Sequence, residues 1–191
     1  PLSTLGGGQQ AAVTDPGRRR QPPSASQTVL YAGKLASHKG IRLLLDGWRE
    51  ASASVPHLEL VVVGDGPLHS ELTNEAFDRV RFLGWADSES VQAMMLAARA
   101  LVVPSRWYEV VGRVALEAFA AGLPVLASDI GGLGEVVGEL GPECLVASDD
   151  RDPAIYRAPG KNFSWHLSQA ATISPPFSSR PSTLLARTAS I

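Results

Sequence analysis

Short apolar runs recur along residues 28–150, and each pair is separated by room for a helix. The runs are Thr28-Val-Leu-Tyr-Ala32, Leu58-Glu-Leu-Val-Val-Val63, Val80-Arg-Phe-Leu83, Leu101-Val-Val103, Val125-Leu-Ala127 and Cys144-Leu-Val-Ala147. Several have no polar residue on either alternating face, so both faces of the strand must be covered. The segments between them have helical spacing. Ile41, Leu44, Leu45, Trp48 and Ala51 mark a helix from Ile41 to about Ala53. A weaker helix is expected over Leu68–Phe77. Another runs from a Ser88 cap, with Glu89 in its first turn, to about Ala98. Alternation of this kind predicts a parallel sheet with helices on both sides, a doubly wound α/β domain.

Ligands of such sheets bind beyond the carboxyl ends of the strands. That rule selects the loops Gly33–Gly40, Gly64–Pro67, Ser105–Gly112 and Ser128–Gly132. The third belongs to the most informative stretch, Pro104 to Pro124, which reads as strand end, loop, short helix and stop. Gly112 opens the helix, where free backbone N–H groups can meet an anion. Gly122 closes it and Pro124 prevents its continuation. Glu109 precedes the helix start and Glu117 lies inside the helix, so a carboxylate stands on each side of an anion held there. Carboxylates accept hydrogen bonds from hydroxyl groups, and a nucleotide-sugar carries hydroxyls on both sides of a diphosphate. The same pair also fits simple compensation of the helix dipole.

Lys34 and Lys39 follow the first strand, the second just before a helix led by Gly40. Two point charges beside a helix start make a diphosphate clamp, or are two surface lysines. Gly64-Asp-Gly-Pro67 lacks the third glycine of a dinucleotide fingerprint and reads as a strand-ending turn that could line a slot for a base. Gly131-Gly132, with Glu135 expected in the first helical turn, reads as a glycine-rich turn. Trp107 and Tyr108 flank Glu109 and either wall a ligand or pack the loop. His38, His57, His69 and His166 have no metal-ligand spacing, and none pairs with a serine or cysteine nucleophile, so no metal is expected.

Composition narrows the field. A formal net charge of -2 provides no field for nucleic acid. Cys144 is the single cysteine, which excludes an internal disulfide and a thiolate metal cluster. No apolar run is long enough to span a bilayer and no signal peptide is evident, so a cytoplasmic location is the default. Residues 1–27 and 151–191 are rich in Gly, Ser, Pro and Arg without periodicity, and are expected to be flexible, disordered tails. Because the chain begins with Pro1, a piece of a longer protein is expected.

Taken in order, Gly33-Lys34, Lys39-Gly40, Val63-Gly-Asp-Gly-Pro67, Phe82-Leu-Gly84, Val103-Pro-Ser105, Glu109…Glu117 and Ala121-Gly-Leu-Pro-Val125 resemble glycosyltransferase family four over about residues 28–150. The resemblance implies the Rossmann-like, donor-binding half of a GT-B fold. It implies retaining, hexosyltransferase-like transfer from a nucleotide-sugar, with no metal and no cofactor. Lys34 and Lys39 would hold the diphosphate and Glu109 the sugar hydroxyls, these three forming the catalytic group. The backbone of Val110, Val111 and Gly112 would approach sugar and phosphates, Glu117 would bind the ribose, and Gly33 and Gly64 would lie in the donor-facing loops. The family's usual Glu-Gly-Phe-Gly stands here as Glu109-Val110-Val111-Gly112, which stiffens the loop and removes an aromatic packing residue. An N-terminal acceptor domain or partner chain is expected, as is an unknown acceptor. Peripheral membrane contact would come through that missing half, and the isolated chain could be inactive. The alternative is a non-catalytic nucleotide-sugar-binding module or partner subunit.

Overall fold

The computed structural model describes residues 27–110, 112–140 and 145–147. The expected tails outside these limits, Val111, Cys144 and His166 lie beyond the described residues. Six strands form one sheet: β1 (Thr28–Ala32), β2 (Glu59–Val63), β3 (Val80–Gly84), β4 (Ala100–Val103), β5 (Val125–Asp129) and β6 (Leu145–Ala147). Their spatial order is β3-β2-β1-β4-β5-β6 and every pairing is parallel. The chain winds outward from β1 in one direction, returns, and winds outward from β4 in the other. The topological switch point therefore falls between β1 and β4.

Side-chain alternation explains why the apolar runs are continuous. Val29 and Tyr31 of β1, with Leu60 and Val62 of β2, pack against Ile41, Leu44, Leu45 and Trp48 of α1 (Ile41–Ala51) and Leu72 of α2 (His69–Thr73). Leu30, Val61, Val63, Leu101 and Val103 face the opposite way. They pack against Met95 of α3 (Ser88–Ala97), Ala115 and Ala118 of α4 (Arg113–Ala120), and Leu133 and Val137 of α5 (Gly131–Leu140). Strands β1, β2, β4 and β5 thus feed two cores, whereas the edge strand β3 gives Val80 and Phe82 to the first and exposes Arg81 and Leu83 on its other face. Two polar tips of the first core both find partners: the Trp48 indole donates to the Asp78 carbonyl and the Tyr31 hydroxyl to the Lys34 carbonyl, each at 2.9 Å.

Several element ends differ from expectation. Asp87, not Ser88, is the N-cap of α3: its backbone is extended and its carboxylate accepts from the Ser90 N–H at 2.8 Å, while Ser88 is already inside the helix. That bond also holds the Asp87 carboxyl below its ordinary range. Helix α2 stops at Thr73 rather than near Phe77, because Phe77 leaves the helix to pack 6.3 Å from Phe82. Helix α5 starts at Gly131, so Glu135 lies past the first turn and does not compensate the dipole there. Among the described residues no helix is long and apolar enough to cross a membrane.

Gly40 holds α1 against the centre of the sheet. It is the N-cap, with φ of 71°, and a Cβ there would lie 1.7 Å from the Pro104 carbonyl oxygen. Gly40→Ala must therefore push the β1–α1 and β4–α4 loops apart. It is expected to cost about 2 kcal/mol or more of unfolding free energy, measured by chemical denaturation.

Candidate functional site

At the carboxyl end of the sheet, a cleft of about 770 Å³ opens over the switch point. It is lined by the ends of β1, β2 and β4, by Trp85 beyond β3, and by facing residues of α3 and α4. Gly33, Lys34, Lys39, Gly64, Glu109 and Glu117 all line it. The lysines and glutamates named from the sequence thus converge on one cavity rather than on different faces of the sheet. Val110 and Gly112 do not line it: Val110 is 92% exposed, and Gly112 is turned toward the Leu133 side chain. Trp107 and Tyr108 are exposed outside the cleft wall.

Two loops build the charged end. The β1–α1 loop contains a single helical turn at Ser37–Lys39, which aims Lys39 across the switch point. The β4–α4 loop runs alongside, joined by the Arg106 N–H donating to the His38 carbonyl at 2.9 Å. Lys39 Nζ then reaches Glu109 Oε1 at 2.6 Å. With side chains 32% and 18% exposed, this pair is partly shielded from water, so its attraction exceeds that of an open surface pair. Glu117 pairs with Arg113 one helical turn earlier at 3.3 Å, but both are well exposed and the bond is correspondingly weak. Lys34 makes no ion pair among the described residues.

Two residues of this constellation were not anticipated as site residues. Tyr31 lies under the cleft floor, 3% exposed, and its hydroxyl donates to the Lys34 carbonyl at 2.9 Å. Burial, and secondarily the negative charge of Glu109, push its phenol far above the ordinary range. Ser105, 1% exposed, donates from Oγ to Glu109 Oε1 at 2.9 Å. A tyrosine in an apolar run reads as core, so no sequence signal marks Tyr31. The Pro104-Ser105 pair was visible as a loop start, though not its reach to Glu109. Gly131-Gly132 has a local purpose as well. A Cβ on Gly132 would sit 1.9 Å from the Val110 carbonyl, and the Gly132 N–H donates to the Glu109 carbonyl at 3.0 Å. The start of α5 thus braces the backbone that carries Glu109.

A parallel sheet in this strand order, with a charged cleft at its switch point, defines a Rossmann-like domain. The family model for Glycosyl transferases group 1 matches residues 26–158, and the chain belongs to that family. It is similar to glycogen synthase of Mycobacterium tuberculosis, 36% identical over 132 residues, which cover 65% of this chain and 32% of that protein. It is also similar to 2-deoxystreptamine N-acetyl-D-glucosaminyltransferase of Streptomyces fradiae, 35% identical over 72% of this chain and 34% of that protein. The chain therefore spans about a third of the length of the curated relatives it matches. Among solved structures, the glycosyltransferase WaaG of lipopolysaccharide biosynthesis superposes with a TM-score of 0.60 at 26% identity, over 80% of this chain and 40% of that one. Anabaena HepE, solved in complex with UDP and glucose, gives 0.57 at 26% identity over 78% of this chain and 38% of that one. The doubly wound expectation holds, and its neighbours are GT-B glycosyltransferases.

The Tyr31 phenol gives the site a pH signature. Below its ordinary value of 10.0 it is neutral in both folded and unfolded chains and adds no pH dependence. As pH rises past 10.0 the unfolded phenol ionises while the buried one does not, so the folded state loses stability. Tyr31→Phe is expected to flatten the alkaline limb of stability against pH, measured by denaturant unfolding across that range.

Proposed function

We propose that the cleft binds a nucleotide-activated sugar, and that this chain is the donor-binding domain, residues 28–150, of a retaining, hexosyltransferase-like enzyme of glycosyltransferase family four. The observation that carries this reading is the convergence of Lys34, Lys39, Glu109 and Glu117 on one cleft at the switch point, in a chain of this family. Support also comes from HepE, a structural neighbour solved with UDP and glucose.

Each group has a chemical task in this reading. Lys34 and Lys39 neutralise the diphosphate and the charge that grows on it as the sugar departs. Glu109 accepts hydrogen bonds from sugar hydroxyls and fixes the ring. Glu117, released from its weak pair with Arg113, accepts from the ribose hydroxyls. Gly33 and Gly64 bring backbone close to the ligand at the ends of β1 and β2. Val110, Val111 and Gly112 would contribute only through backbone N–H groups. Neither a metal nor a cofactor enters this scheme. The acceptor and the group that activates it belong to an N-terminal acceptor domain or partner chain, which is also the part that would approach a membrane from the cytoplasm.

Calorimetry with nucleoside diphosphates tests the donor site. Lys34→Ala is expected to weaken binding about tenfold, close to 1.4 kcal/mol. Glu117→Ala is expected to weaken it by a smaller factor, and unchanged binding would remove the ribose role. Product analysis with a panel of nucleotide-sugars addresses the chemistry. Donor hydrolysis or transfer with the anomeric configuration kept supports the enzyme. Binding with neither supports a non-catalytic binding module.

A further inference from the structure

We propose that Ser105 is a positioning residue, one that holds Glu109 in place for the donor sugar when Lys39 moves from Glu109 to the diphosphate. The inference rests on the donor-site reading above and concerns how that site survives its own occupation. Lys39 Nζ, at 2.6 Å, and Ser105 Oγ, at 2.9 Å, bind the same oxygen of Glu109, Oε1. Among the described residues no side chain is bound to Oε2. One oxygen is thus tied to the protein and the other is left for a ligand.

The two ties differ in kind. Lys39 has a flexible four-carbon stem and a side chain 32% exposed, so its ammonium can pivot toward a phosphate. Ser105 is 1% exposed and has one short torsion, so it cannot follow. Its hydroxyl has a single proton. Two acceptors lie within its reach, Glu109 Oε1 at 2.9 Å and the Trp107 carbonyl at 3.3 Å, and the nearer, charged oxygen is the stronger; an oxygen lone pair remains for the Trp107 N–H, 3.5 Å away. Once a diphosphate draws Lys39 off, a glutamate without Ser105 would be a half-buried carboxylate with no donor and no fixed direction. With Ser105 it keeps one charge-assisted bond, and Oε2 stays aimed at the sugar.

The measurement is calorimetric affinity of the full 191-residue chain for UDP, ADP and GDP and for their glucose and mannose derivatives. The readout is the sugar increment, the ratio of the two dissociation constants for one base. Ser105→Ala is expected to cut the increment about fivefold to tenfold while leaving nucleoside diphosphate affinity within about twofold. In a Glu109→Ala background the same substitution is expected to change nothing further. An increment unchanged by Ser105→Ala, or a loss that persists undiminished in the Glu109→Ala background, overturns the proposal. Equal weakening of both ligand types, or loss of the fold, makes Ser105 structural and overturns it too. If the wild-type chain binds none of the panel, the donor-site reading itself falls, and this inference with it.

Discussion

Lys39 and Glu109 stand 70 residues apart in sequence, and their 2.6 Å ion pair sits where the two halves of the sheet diverge. That contact depends on two loops lying closer than ordinary side chains would permit. A Cβ on Gly40 would collide with the Pro104 carbonyl, and one on Gly132 with the Val110 carbonyl. Arg106 N–H to His38 carbonyl then ties the two loops together, and Tyr31 hydroxyl to Lys34 carbonyl fixes the first loop where it leaves β1. The site is therefore assembled mainly by backbone and buried groups, and its charged side chains are the last layer. A substitution that thickens the loop contact should disturb the charges more than one that alters the charges would disturb the loops.

The sheet was legible because its physics is local. A strand buried on both faces needs a run of apolar residues, and such runs survive in the sequence whatever surrounds them. The helix packed flat on that sheet, α1, shows its stripe for the same reason. Some boundaries were legible in the apolar pattern itself, as for β1 and the start of α1, and others where the stop is chemical, as at Gly122. The sequence alone does not choose between Asp87 and Ser88, because both residue types cap helices and only the chain's path decides which side chain reaches the Ser90 N–H. Phe77 continues a helical pattern on paper, but the aromatic contact with Phe82 on a neighbouring strand outweighs one more helical turn.

The site was legible in its charges and not in its supports. Lys34, Lys39, Glu109 and Glu117 are visible as ionisable residues at strand ends and a helix start, where a switch-point cleft would place them. Tyr31 and Ser105 act through contacts that have no sequence period: a hydroxyl reaching a carbonyl three residues on, and a hydroxyl reaching a carboxylate four residues on. Gly131-Gly132 looked like a turn because glycine pairs usually are. Its reason here is the nearness of another loop's backbone, which no single-chain pattern encodes.

The charges lining the cleft are Lys34, Lys39 and Arg113 against Asp65, Glu109 and Glu117. Cations and acids balance, and two of the cations are already paired with acids. A ligand that brought negative charge alone would take the cations, leaving Glu109 with only the Ser105 hydroxyl and Glu117 without its partner Arg113. Each released acid would then lose a hydrogen bond and gain a repulsion. A ligand that brought hydroxyls beside its negative charge would give every displaced acid a new donor as it took each cation. The exchange would then conserve hydrogen bonds instead of spending them. Internal pairing of this kind would raise the threshold further for bare anions than for molecules that carry hydroxyls beside their phosphates. It is the electrostatic form of selectivity that a balanced cleft has and a purely basic one lacks.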